Sequence, residues 1–115
     1  MSPTSNTLAR RKCAPCEGGA RPLDAARIRE LRPSLDGGWQ VSKGKLLEKA
    51  FTFKDFRAAL SFTNRVGELA EKQGHHPDVF LAWGKVKLTI WTHSIGGLSE
   101  NDFILAAKID ALPQP

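Results

Sequence analysis

His75 and His76 stand side by side before Pro77, and His93 is the only other histidine in the 115 residues. Imidazole is the side chain suited to giving and taking protons near neutral pH, with an unperturbed pKa of about 6.5. Eliminating water needs both acts, because the leaving hydroxyl must be protonated while a proton is removed elsewhere. Two or three imidazoles around a bound heterocycle can divide that labour without a metal or an organic cofactor. His75, His76 and His93 are therefore the candidate catalytic set, and neither metal nor cofactor is expected. A neighbouring carboxylate would orient one ring, while crowding among imidazoles would keep another neutral.

The elements that must position these rings are legible around Gly84. Two β-rich runs, Asp78–Trp83 and Val86–His93, flank Gly84-Lys85, and Gly in the first place of a two-residue loop suits a II′ hairpin turn. That turn predicts the pairs Trp83–Val86, Leu81–Leu88 and Val79–Ile90, all apolar and all on one face. On the second face it sets Ala82 opposite Lys87, Phe80 opposite Thr89, Asp78 opposite Trp91, and His76 opposite His93. Directly opposed residues have Cβ atoms about 4.5–5.5 Å apart, so the last pair would bring two imidazoles together. Pro77 keeps His76 extended. His75 points to the other face of an extended chain unless the preceding junction turns it inward. Of the three it is the one expected to point elsewhere. Glu71, near the end of the preceding helix, could face that junction.

The rest of the chain reads as alternating helices and hairpins. Asp24 is a candidate N-cap, Leu23 can staple against Ile28, and Pro33 with Asp36-Gly37-Gly38 ends that helix. Trp39–Lys43 and Lys45–Phe53 read as strands joined at Lys43-Gly44. Phe56, Ala59, Leu60, Thr63, Val66, Gly67 and Ala70 follow helical spacing, with Gly74 as the stop. Ser99-Glu100-Asn101-Asp102 resembles a capping box and opens a helix carrying Phe103, Ile104, Ala107 and Leu112. The order α-β-β-α-β-β-α predicts an α+β fold: an antiparallel four-stranded sheet with helices on one face.

Residues 1–20 lack periodicity and are expected to form a flexible N-terminal tail, leaving residues 21–115 as a single domain. The net charge of +5 is concentrated at the start, with Arg10, Arg11, Lys12 and Arg21 against only Glu17 in residues 1–22. A basic tail on a nearly neutral body is not the basic stripe of a nucleic-acid face, and no nucleic-acid partner is expected. No run is long and apolar enough for a membrane span, and the polar first residues lack a signal-peptide core. Cytoplasmic placement with reduced thiols is expected.

Several residues carry competing readings. Three histidines with Glu71 could ligate zinc, but adjacent histidines seldom turn both rings onto one metal. Cys13-Ala14-Pro15-Cys16 has Cys-x-x-Cys spacing without a second pair or the strand–helix context of a thioredoxin. Asp102 is explained by capping Ser99, and a catalytic neighbourhood would use the same carboxylate differently. Trp39, Trp83 and Trp91 default to core or interface. In the expected register Trp83 faces the apolar side, and Trp91 shares the histidine face and could line a pocket.

These residues together resemble the pterin-4a-carbinolamine dehydratases. The likeness runs through Gly38-Trp39, Phe53-Lys54-Asp55-Phe56, Glu71-Lys72, His75-His76-Pro77, Lys85-Val86, Thr92-His93, Gly97-Leu98-Ser99 and Asp102. It implies an α+β sandwich, assembled as a homodimer or homotetramer. The implied activity is that of a hydro-lyase converting 4a-hydroxytetrahydropterin to quinonoid dihydropterin plus water. That reaction supports tetrahydropterin recycling for an aromatic amino-acid hydroxylase. The resemblance matches His75, His76 and His93 to the active-site histidines and Glu71 and Asp102 to acidic residues near them. A flat pterin could stack near Trp91 or Trp39 while backbone groups of Thr92–Ser94 bind its polar edge. Gly74 departs from the animal members, which carry an acidic residue there. The alternative from another class is a non-enzymatic oligomeric interaction module, a dimerisation cofactor, of the kind some animal members also provide.

Overall fold

Asp24 caps the first helix as its residue type demands: its carboxylate accepts from the Arg27 N–H at 2.9 Å, opening α1 (Ala25–Leu31). A 3₁₀ turn over Arg32–Ser34 carries the chain past Pro33. The computed structural model describes residues 8–13 and 21–113. It continues with β1 (Gln40–Ser42), β2 (Leu46–Thr52), α2 (Phe56–Gln73), β3 (Asp78–Ala82), β4 (Lys85–Ile90) and α3 (Glu100–Asp110). The strands form one antiparallel sheet in the order β1-β2-β4-β3, so the α+β class and element order are as expected.

One face of the sheet supplies the core. Leu47 and Phe51 of β2 and Val86, Leu88 and Ile90 of β4 are buried, alternating with Glu48, Lys87 and Thr89 on the other face. Ile28 and Leu31 of α1, Ala59, Phe62 and Val66 of α2, and most of α3 complete the same cluster. Phe62 was absent from the expected stripe of α2, yet it is fully buried, with its ring centroid 4.7 Å from Phe51 and 5.2 Å from Phe53. Phe56 and Leu60, which were in that stripe, are 45% and 40% exposed. Periodicity alone left the stripe's centre open by one position, and the sheet's aromatic residues chose Phe62. Among the described residues no helix is long and apolar enough to cross a membrane.

The first hairpin turns at Lys43-Gly44 as expected, both residues having positive φ (55° and 68°). The second does not follow the expected register. Ala82 pairs with Lys85, Leu81 with Val86, Val79 with Leu88, and Asp78 with Thr89, so the loop is Trp83-Gly84 and every pair is displaced by two residues. An even displacement preserves the faces, which is why the apolar match looked self-consistent. The cause is what Gly84 is used for. Its carbonyl accepts from the Phe53 N–H at 2.8 Å, and a Cβ on it would lie 2.9 Å from the Phe53 carbonyl oxygen. Gly84 permits a close backbone approach at the end of β2 rather than a left-handed turn. Trp83 accordingly sits at the hairpin tip, 68% exposed, and does not face the apolar side. Gly84→Ala should lower unfolding free energy by about 1–3 kcal/mol, visible as a lower urea midpoint at unchanged slope; an unchanged midpoint would refute the close-approach role.

Candidate active site

The His75 ring is set by the way α2 ends. Gly74 takes the left-handed conformation (φ 64°), and its N–H returns to the carbonyls of Ala70 and Glu71. The His75 N–H also returns to the Ala70 carbonyl, at 3.3 Å. This reversal is the junction turn that strand alternation could not supply. It brings His75 Nε2 within 2.6 Å of Asp102 Oδ1, with the histidine side chain 12% exposed and the aspartate fully buried. His75 is therefore the most enclosed of the Asp- or Glu-paired histidines, contrary to the expectation that it would point elsewhere.

Asp102 caps α3 and also faces His75. At the third position of α3 its Oδ2 accepts the Ser99 N–H at 2.7 Å, the return half of a capping box. The same oxygen accepts the Thr92 hydroxyl at 2.8 Å, while Oδ1 faces His75. A buried carboxylate needs this many donors to be tolerated. Thr92 was singled out only for its backbone. Its hydroxyl lay beyond sequence reasoning, because nothing but its place beside His93 marked it.

His76 and His93 do not form the expected cross-strand pair. β4 ends at Ile90 and β3 begins at Asp78, so neither histidine lies in the ladder, and His93 opens a 3₁₀ turn, His93–Ile95. His76 Nε2 is hydrogen-bonded to Glu71 Oε2 in a pair that is largely exposed (56% and 78%). The His93 ring packs on Trp91, centroids 4.0 Å apart, and the Trp91 indole N–H reaches Asp78 Oδ2 at 3.4 Å. Two of the three histidines are nevertheless connected: His75 bonds to Asp102, Asp102 accepts from Thr92, and Thr92 precedes His93, whose ring packs on Trp91. His76 is paired with Glu71 outside this series.

Trp39 is not brought to this site. It is fully buried, and its indole N–H donates to Asp110 Oδ1 at 2.9 Å, beside Lys49 Nζ. Asp110 lies eight residues along α3 from Asp102, about 12 Å at the helical rise, so stacking of a substrate on Trp39 is ruled out by its place in the core.

The expected tail is described only over residues 8–13, and the Cys-x-x-Cys motif passes out of the described residues after Cys13. Leu8 is buried in the core, and Lys108 Nζ donates to the Ala9 carbonyl at 2.7 Å. The Cys13 N–H donates to Gln73 Oε1 at 3.1 Å and its Sγ contacts the Asn101 carbonyl at 3.6 Å. This segment thus touches the end of α2 and the start of α3, the two ends that carry His75 and Asp102. Arg11 and then Arg27 hold the Glu100 carboxyl below its usual range, through hydrogen bonds of 3.0 and 3.2 Å.

Residues 21–112 match the family model described as pterin 4 alpha carbinolamine dehydratase. The chain belongs to this family, whose named relatives are hydro-lyases. A pterin-4-alpha-carbinolamine dehydratase by name from Alkaliphilus metalliredigens is 52% identical over 91% of this chain and 95% of its own length. One of the same name from Rubrobacter xylanophilus is 49% identical over 91% and 97%. Among solved structures, a transcriptional coactivator/pterin dehydratase from Brucella melitensis superposes with a TM-score of 0.73 at 37% identity, covering 79% of this chain and 97% of that one. A pterin dehydratase-like protein described as a RuBisCO assembly factor in the alpha-carboxysome gives 0.53 at 26% identity, covering 64% and 83%. Within this pterin dehydratase family member, Gly74 is explained by its positive φ, which favours glycine over an acidic side chain.

Proposed function

We propose that this chain dehydrates 4a-hydroxytetrahydropterin to quinonoid dihydropterin plus water, in the cytoplasm, recycling tetrahydropterin for an aromatic amino-acid hydroxylase. The observation that carries the reading is the 2.6 Å hydrogen bond between His75 and the buried Asp102. A carboxylate accepts, so Nε2 carries the hydrogen and Nδ1 is left to exchange a proton with substrate. His76, paired with Glu71, and His93, packed on Trp91, complete the acid–base set. Protonation of the 4a-hydroxyl lets it leave as water, and removal of the proton on the adjacent ring nitrogen closes the new C=N bond. The exposed edge of the Trp91–His93 pair would support the flat pterin ring, and the protein would act as a homodimer or homotetramer. The test is the rate of dehydration of enzymatically generated 4a-hydroxytetrahydropterin, with and without chelator. No acceleration over the spontaneous reaction would sink the proposal, and loss on chelation would favour a zinc enzyme.

A second reading, a non-enzymatic interaction module, is favoured by the assembly-factor description of one similar structure and by the exposed Phe80 and Trp83 (58% and 68%). Changing His76 and His93 together to Ala separates the two. The dehydratase reading expects turnover to fall by about 10²-fold or more with oligomeric state unchanged, as for loss of positioned acid–base groups. Light scattering and the dehydration assay on the same sample check it; full retained activity would favour the module.

A further inference from the structure

We propose that Thr92 is a positioning residue that acts through Asp102 to orient His75. This deepens the dehydratase reading and rests on it for its kinetic consequence. The argument is a count of hydroxyl protons. Asp102 Oδ2 receives the Ser99 N–H at 2.7 Å and lies 2.8 Å from Thr92 Oγ1 but 3.5 Å from Ser99 Oγ. The two hydroxyls are themselves 2.8 Å apart. Each has one proton to give. The arrangement that uses both short contacts has Ser99 donating to Thr92 and Thr92 donating to Asp102. Thr92 is 5% exposed, so this ordering is shielded from water.

With Oδ2 saturated by Ser99 and Thr92, Oδ1 faces His75 as an acceptor. The imidazole must then carry its hydrogen on Nε2, and Nδ1 has no protein partner among the described residues. Thr92 also spans the site physically. Its N–H donates to the Gly97 carbonyl at 2.8 Å, and its chain neighbour His93 lies on Trp91. One hydroxyl therefore couples the strand end that carries His93 to the carboxylate that holds His75. Removing it leaves Oδ2 held by the Ser99 N–H alone, which loosens the Asp102 carboxylate and the His75 hydrogen bond it accepts and lets His75 sample the other tautomer.

Thr92→Val keeps the shape and loses the hydroxyl, whereas Thr92→Ser keeps the hydroxyl and loses the methyl. The proposal expects Thr92→Val to lower kcat by about 10- to 100-fold, the usual cost of losing an outer partner of a site residue. KM should stay within about twofold, and the imidazole ¹⁵N spectrum of substrate-free protein should shift away from the Nε2–H form of His75. Thr92→Ser should stay near wild type in both. Unchanged kcat and spectrum in Thr92→Val, or equal losses in both variants, would overturn the proposal. If Thr92→Val does not fold, Thr92→Ala decides: it also removes the hydroxyl that donates to Asp102, and an unaltered His75 spectrum and kcat would overturn the proposal. Because the ¹⁵N readout needs no turnover, an inactive wild-type chain whose His75 signal still responds would reject the dehydratase reading alone.

Discussion

Asp102→Asn should lower kcat for pterin dehydration by roughly 10²- to 10⁴-fold, the contribution of a well-placed general acid or base. The substitution keeps volume and changes only which atoms can accept. Asp102 takes donors on both oxygens: His75 on Oδ1, and Ser99 N–H and Thr92 hydroxyl on Oδ2. An amide must turn its NH₂ toward one side. Facing His75, it forces the hydrogen from Nε2 to Nδ1 and blocks the nitrogen that should meet substrate. Facing Ser99 and Thr92, it sets donors against donors in a fully buried place. His75→Ala should cost a similar factor, and the double variant little more than either alone, since the pair acts as a unit. Steady-state kinetics on samples with unchanged circular dichroism checks this. Additive losses would mean that Asp102 acts independently of His75.

Phe62→Ala should destabilise the fold by about 3–5 kcal/mol, the range for truncating a buried aromatic. Phe62 is wholly enclosed where α2 crosses the sheet, against Phe51 and Phe53 of the β2 end. Ala59 and Val66 on the same face are fully buried too, so the gap would open inside the packed core. Urea unfolding followed by fluorescence should show the lower midpoint. A loss below about 1 kcal/mol would mean the site collapses around the gap. Since Phe53 also meets Gly84 through its backbone, this variant and Gly84→Ala should be less than additive.

Much of the local structure was legible from residue types. The capping geometry of Asp24 and Ser99, the Lys43-Gly44 turn and the Gly74 stop are short-range features, decided by groups within a few residues of one another. They appear where the sequence puts them. The faces of β4 were also legible, because alternation needs no knowledge of the partner, whereas on β3 Val79 is 43% exposed and Trp83 lies beyond the strand. The hairpin register was not, because Gly84 has two uses. Only the approach of the Phe53 backbone, from a strand far away in the chain, shows which applies. The predicted meeting of His76 and His93 across the ladder failed with that register.

By itself, then, the sequence determined which chemistry was on offer: three imidazoles, two candidate carboxylates and a family pattern spanning most of the chain. It also determined the α+β order of elements, since periodicity and capping are local. Tertiary structure decided the pairings. It gave His75 the buried carboxylate of Asp102, left His76 with the exposed Glu71, and placed Trp39 in the core rather than at the site. The reason is that a partner is chosen by the packing of α2, α3 and the end of β4 against one another. No spacing along the chain encodes the direction in which Gly74 turns the histidine pair once those elements meet.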